Sequence, residues 1–324
     1  LIVLCVSVLC LTTGCQINDV LKSGNDATYF TIAFEQAKPL RYKFISERDI
    51  TFTLGQASKT KSGKGKTDTF KQKVEMIMAY QLIESSSFGT SKIKATCESV
   101  KIFKTDTKNR KDALESIAGK SFTVTIDPAG HIKDYGDLTR FMQEAGKKAI
   151  RTSSKDDRIK DPDLTDDFVA TQWFLWDAYS SIKKPAQGVK IGQSWTSKLS
   201  IANPMVIRKV RDVTYTFDRV EETERGPVAV IKSVYSIPEN EKIDWLKQYK
   251  RKMRLSGRFG MLRNYKLLEL NGSGEEFYNT EKERMEKYQQ QYDAKFSASF
   301  LLPLPGINPE IIIKQKISTE LLEE

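Results

Sequence analysis

Strict alternation of apolar and polar residues, sustained over whole segments, constrains this chain more than any other feature. Tyr288, Tyr292, Ala294, Phe296, Ala298 and Phe300 are set against Gln289, Gln291, Asp293, Lys295, Ser297 and Ser299. Ile311, Ile313, Ile317 and Leu321 oppose Lys314, Lys316, Ser318 and Glu320, and Val74, Met76, Met78, Tyr80 and Leu82 share one parity. From Tyr42 to Leu54 the even positions include Tyr42, Phe44, Ile50, Phe52 and Leu54, and shorter runs recur at Phe122, Val124 and Ile126 and at Tyr215 and Phe217. Successive side chains of a strand point to opposite faces, so a period of two over such lengths means strands with one buried and one wet face. That is the pattern of an antiparallel sheet rather than a parallel one, whose strands are apolar on both sides.

Turn residues punctuate the runs. Asp127-Pro128-Ala129-Gly130 separates FTVTI from HIKDY, and Asn271-Gly272-Ser273-Gly274 separates KLLEL from EEFY; each reads as a hairpin connection. Residues 55–69 form a Gly/Ser/Lys loop whose glycines lack phosphate-loop spacing. Two stretches depart to helical spacing, 137–150 and 164–182, and in the second Asp166 and Asp167 suit the positive N-terminal end of a helix. Trp173 and Trp176 on that helix suit either core packing or a ligand platform. The segments flanking this insert resemble one another, with Tyr80 matching Tyr215 and Gly89 matching Gly226. The expected fold is therefore mainly β: a curved antiparallel sheet or half-barrel from two similar β units, 29–136 and 184–324, with a helical insert at 137–183.

The N-terminus has a different character. LIVLCVSVLCL is apolar except for Ser7, and no charge precedes Asp19. A short apolar run followed by small residues reads as a secretory signal, residues 1–14. Leu11-Thr12-Thr13-Gly14-Cys15 resembles the lipobox of bacterial lipoproteins. The resemblance implies a diacylglycerol thioether on Cys15, cleavage before it and acylation of the new amino group, leaving 15–28 as anchor and polar tether. Gln16 after the cysteine implies the outer membrane, periplasmic side, under the enterobacterial sorting rule.

Export bounds the chemistry. A net charge of +10 would otherwise suggest nucleic acid, but outside the cytoplasm it meets anionic head groups, lipopolysaccharide phosphates or acidic polymers. The cluster Lys247, Lys250, Arg251 and Lys252, with Trp245 and Tyr249 nearby, would contact an anionic surface if helical, or guard a sheet edge if extended. Cys97 alone of the four cysteines remains in the exported domain outside the lipid anchor, as a buried thiol in a strand. His131 is the single histidine, there is no GxSxG elbow, and the acid-rich 156–167 lacks the spacing of a calcium loop. No catalytic residue, metal or cofactor is therefore expected. Long curved strands covered by helices resemble in outline the half-barrel lipoprotein and lipid carriers, which implies an apolar ligand lined by Phe44, Phe52, Met76 and Met78. The alternative is a scaffold lipoprotein binding other envelope proteins, with a hydrolase third.

Overall fold

A computed structural model describes residues 27–34, 36, 38–54, 67–86, 89–105, 113–127, 132–134, 137, 140–141, 188–197, 212–237, 262–300 and 308–322. Eleven strands form one antiparallel sheet: β1 (Leu40–Leu54), β2 (Thr67–Ser85), β3 (Ser91–Lys104), β4 (Ser121–Ile126), β5 (Ile132–Asp134), β6 (Ser194–Ser197), β7 (Asp212–Thr223), β8 (Gly226–Ser236), β9 (Leu262–Asn279), β10 (Arg284–Phe300) and β11 (Pro309–Leu321). Their spatial order is β5-β4-β3-β2-β1-β11-β10-β9-β8-β7-β6. The chain thus starts at the centre, steps out to one edge, resumes at the other and meanders back until β11 pairs with β1.

The segments 29–136 and 184–324 supply the two sides of this one sheet, β1 to β5 and β6 to β11. Both the β2–β3 and the β7–β8 hairpins turn beside a glycine with positive φ, Gly89 at 76° and Gly226 at 108°. The DPAG segment leads from β4 to its antiparallel partner β5. The second expected turn is different: Asn271-Gly272-Ser273-Gly274 lies inside β9, paired on one side with β8 and on the other with β10. Here the glycines admit a close approach rather than a reversal.

Register follows from alternation on both faces. Tyr42, Phe44, Ser46, Arg48 and Ile50 of β1 lie between Met78, Met76, Val74, Gln72 and Phe70 of β2 and Leu321, Thr319, Ile317, Gln315 and Ile313 of β11. On the opposite face Lys73–Glu47–Lys316 and Lys71–Asp49–Lys314 form rows of alternating sign. A slip by one residue would bury these charges and expose the apolar set. Register shifts within the β2–β3, β7–β8 and β9–β10 pairs add local twist and bend the sheet. Among the described residues the edges are three- and four-residue strands, too short to template another chain.

One core runs along the buried face, from Ile93, Ala95 and Phe122 through Met76, Phe44, Ile313 and Phe296 to Ile231 and Phe217. A strap at 27–34 closes one end. Thr28 bridges Val189, the Ala33 amide donates to the Glu283 carbonyl at 2.9 Å, and Phe30 lies edge-on to Phe217 and Tyr278. Of the expected helix at 137–150, the described residues Asp137, Arg140 and Phe141 are helical. Phe141 packs on Phe122 with ring centroids 5.3 Å apart, and the Asp137 carboxylate accepts from the Thr123 amide at 2.7 Å. The expected helix at 164–182 lies outside the described residues.

Candidate functional site: an open trough over a buried tyrosine–glutamine belt

Midway along the strands the buried face turns polar. Ser46, Arg48, Ser233, Glu276, Gln290, Gln315 and Thr319 are all buried there, Arg48 at 2% exposure. The alternation that makes the core also carries these residues inward, because they occupy the same parity as their apolar neighbours. Tyrosine hydroxyls and glutamine amides link Ser46, Arg48, Ser233, Gln290 and Gln315 among them. Tyr292 donates to Gln315 Oε1 at 2.6 Å, and Gln315 Nε2 donates to Ser46 Oγ at 3.1 Å. Arg48 Nε donates to the same Gln315 oxygen at 3.3 Å. Tyr288 and Tyr235 both donate to Gln290 Oε1, at 2.8 and 3.1 Å.

Gly272 and Gly274 make room for this belt. A Cβ on Gly272 would stand 2.5 Å from Tyr235 Cδ2 and 2.5 Å from Tyr292 Cβ, and one on Gly274 would stand 2.5 Å from the Tyr235 hydroxyl. Tyr235 therefore lies across bare backbone, which a side chain would lift away.

On the other side of the same strands the hydrated face is hollowed into a trough. One lobe, about 1000 Å³, runs from Phe103 and Lys104 across β2, β1, β11 and β10 to Asn271 and Ser273. A second, about 630 Å³, runs from Ile45 to Lys232 and Val234 on β8. The lobes share Glu47, Ser273, Gln291 and Lys316, so they are continuous. Seven strands from β3 to β8 span about 29 Å at the usual ~4.8 Å spacing. Phe103 is 53% and Val234 61% exposed, one toward each end.

The charges within are mostly fixed by one another. Lys73 contacts Glu75 at 2.8 Å and Glu47 at 3.2 Å, and Lys71 contacts Asp49 at 3.1 Å. The bond to Glu75, then that to Glu47, raises the Lys73 ammonium above its ordinary range, and the Lys73 bond holds Glu75 below its own. Both stay charged at neutral pH, the opposite of what proton transfer needs.

Of the residues expected from sequence to form sites, Phe44, Phe52, Met76 and Met78 are among the described residues. Phe44, Met76 and Met78 are buried in the core and Phe52 is half-buried against it, all on the face opposite the trough. Cys97 is free and buried, and burial pushes its thiol up to about 12. Cys15, His131, Trp173, Trp176, Lys247, Lys250, Arg251 and Lys252 lie outside the described residues. Among the described residues no three His, Cys, Asp or Glu side chains gather as metal ligands, and no helix is long and apolar enough to cross a membrane. The sequence reading missed the trough, although the polar interruptions at Arg48, Gln290 and Gln315 within inward-facing runs marked its level.

The Family of unknown function (DUF6263) matches residues 71–260, more than half of the chain. The chain belongs to that family. The match takes in most of β2, and β3 to β8, while β1, β9, β10 and β11 lie outside it. No curated protein matches the sequence. Among solved structures, one described as lipid–protein interactions in lipovitellin is similar at 11% identity and a TM-score of 0.41 over 88% of this chain. The chain spans only 25% of that lipovitellin chain. DynF from the dynemicin biosynthesis pathway of Micromonospora chersina follows at 7% identity, 93% and 92% coverage of the two chains and a TM-score of 0.19. The outer membrane protein OprG from Pseudomonas aeruginosa has 6% identity, 89% and 98% coverage and a TM-score of 0.16. Likenesses this distant do not bear on activity.

Proposed function

We propose that this DUF6263 protein is a lipid-anchored binding protein of the bacterial cell envelope, held by lipid on Cys15 to the periplasmic side of the outer membrane. It acts by binding rather than catalysis. The observation that carries the reading is the trough: an open hollow about 29 Å long across the sheet, lined by hydroxyls, amides, lysines and carboxylates, with Phe103 and Val234 toward its ends. Binding sites are concave and carry a few placed polar groups. Phe44, Met76 and Met78 pack within the buried core, and the reading takes the polar side of the sheet as the ligand surface. An elongated polar or amphiphilic molecule suits it better than a bare acyl chain.

Two measurements test this. Metabolic labelling with palmitate in a bacterial host should mark the wild-type chain in the membrane fraction, and Cys15→Ala should lose the label. Native mass spectrometry of the protein from a bacterial envelope should show a bound molecule that solvent extraction removes. A clean protein mass, in an envelope where the chain is abundant, would defeat the ligand reading. It would favour the alternative of a scaffold whose exposed Phe103 and Val234 contact another protein.

A further inference from the structure

The trough's cations stand in columns. Lys71 and Lys73 are on β2, Lys314 and Lys316 on β11, and Lys232 on β8, with Lys104 at the end of β3 beyond the first of these. At ~4.8 Å per strand, about 10 Å separates the first two columns and about 14 Å the next two. Between them β1 presents Glu47 and Asp49, β10 presents Gln289, Gln291 and Asp293, and β9 presents Asn271, Ser273 and Glu275.

These lysines are not equally engaged. Lys71 and Lys73 have the partners given above, Lys232 holds Asp218 at 2.9 Å, and Lys314 reaches Asp293 at 3.9 Å. Lys316 makes no ion pair among the described residues, because the carboxylate beside it, Glu47, is held by Lys73 from the other side. It is exposed, lines both lobes, and is flanked by Gln291, Ser273 and Ser318. Lys316 is thus an ammonium outside any described ion pair where the two lobes meet, with Glu47 opposite it on β1 and neutral hydroxyls and amides on its other sides.

The backbone is not available to a ligand here. Every strand under the trough is paired on both sides, so a peptide has no edge to extend and only side chains remain for recognition. Hydroxyls and amides pair with hydroxyls, and a lone ammonium pairs with an anionic group. We infer that the trough binds a linear anionic glycan laid across the strands, with one anionic group on Lys316 and sugar hydroxyls on Gln291, Ser273 and Ser318. Charges set well apart on the glycan fall near the lysine columns, whereas a densely charged polymer would meet Glu47, Asp49 and Asp293 between them. The inference rests on the trough being the ligand site, as proposed above.

The test is calorimetry on the full chain in detergent micelles at low salt. The probes are a hyaluronan hexasaccharide, with a carboxylate on every second sugar, and neutral chitohexaose. The anionic glycan should bind at least about tenfold more tightly than the neutral one, as expected for a charge-assisted bond, and should weaken as salt is raised. Lys316→Gln should remove that advantage and Lys316→Arg should keep most of it, both with unchanged urea midpoints since the side chain is exposed. Equal affinity for the two sugars, indifference to Lys316→Gln, or no binding of the anionic glycan would overturn the inference. If native mass spectrometry still shows a bound molecule in that last case, the glycan assignment falls while the binding reading stands.

Discussion

Adding one methyl group at Gly272 is the sharpest probe of the belt. In an ordinary strand Gly→Ala stabilises by about 0.5–1 kcal/mol, because alanine has less backbone entropy to lose. At Gly272 the new Cβ would meet Tyr235 Cδ2 and Tyr292 Cβ at 2.5 Å each and the Gln291 carbonyl at 2.8 Å. Two of these belong to side chains locked in the belt and the third to the backbone of β10, so no flexible tip can give way. Overpacking of this kind costs about 1–3 kcal/mol. Moving the two rings also strains the Tyr292–Gln315 and Tyr235–Gln290 hydrogen bonds, worth about 1 kcal/mol each. The net expectation is a loss of about 1–4 kcal/mol, which at an m-value of about 3 kcal/mol/M lowers the urea midpoint by roughly 0.3–1.3 M. Equilibrium unfolding followed by circular dichroism reads it, with Ser273→Ala on the open face as a control expected to move by no more than about 0.5 kcal/mol. In a Tyr235→Leu background the cost should shrink, since one of the clashing rings is gone and neighbouring changes do not add. A Gly272→Ala protein as stable as wild type, or more so, would refute the close-approach argument and restore the segment's reading as a flexible turn.

Three further outcomes follow from the same geometry. Tyr292→Phe removes the 2.6 Å bond to Gln315 and should cost about 1–3 kcal/mol in urea unfolding, as expected when a buried polar group loses a partner. Cys97, whose thiol burial pushes up to about 12, should resist iodoacetamide at pH 8 in the folded protein and react once urea unfolds it; reaction at the free-thiol rate would contradict its burial. At Asp137 burial acts to raise the carboxyl, but the Thr123 and Arg140 hydrogen bonds outweigh it and hold it below its ordinary 3.8. A depressed carboxyl stabilises the fold above its unfolded value and loses that contribution as pH falls through the folded one. The stability gap between wild type and Asp137→Asn should therefore be full near neutrality and close below about pH 4, and a gap constant down to pH 2 would refute the assignment.

The sequence by itself determined the layer and its sidedness. A period of two over β1, β2, β10 and β11 can be satisfied only by strands with one dry face, and the residues it sent inward, Tyr42, Met76, Tyr288 and Ile313 among them, are buried. Arg48, Gln290 and Gln315 were visible as polar residues at inward parity, but their partners were not. Ser46 and Gln315 lie 269 positions apart, and Tyr235 and Gln290 lie 55 apart. Only the sheet order, with β1 against β11, brings such residues together. The two glycines of β9 show the same limit. Asn-Gly-Ser-Gly has the composition of a turn, and local propensity alone assigns it one. Pairing on both sides and two tyrosines needing space overrode that propensity and kept the strand straight through it. The trough was beyond reach for a related reason. Its lining comes from seven strands whose adjacency depends on the pairing of β1 with β11, which belongs to no single segment.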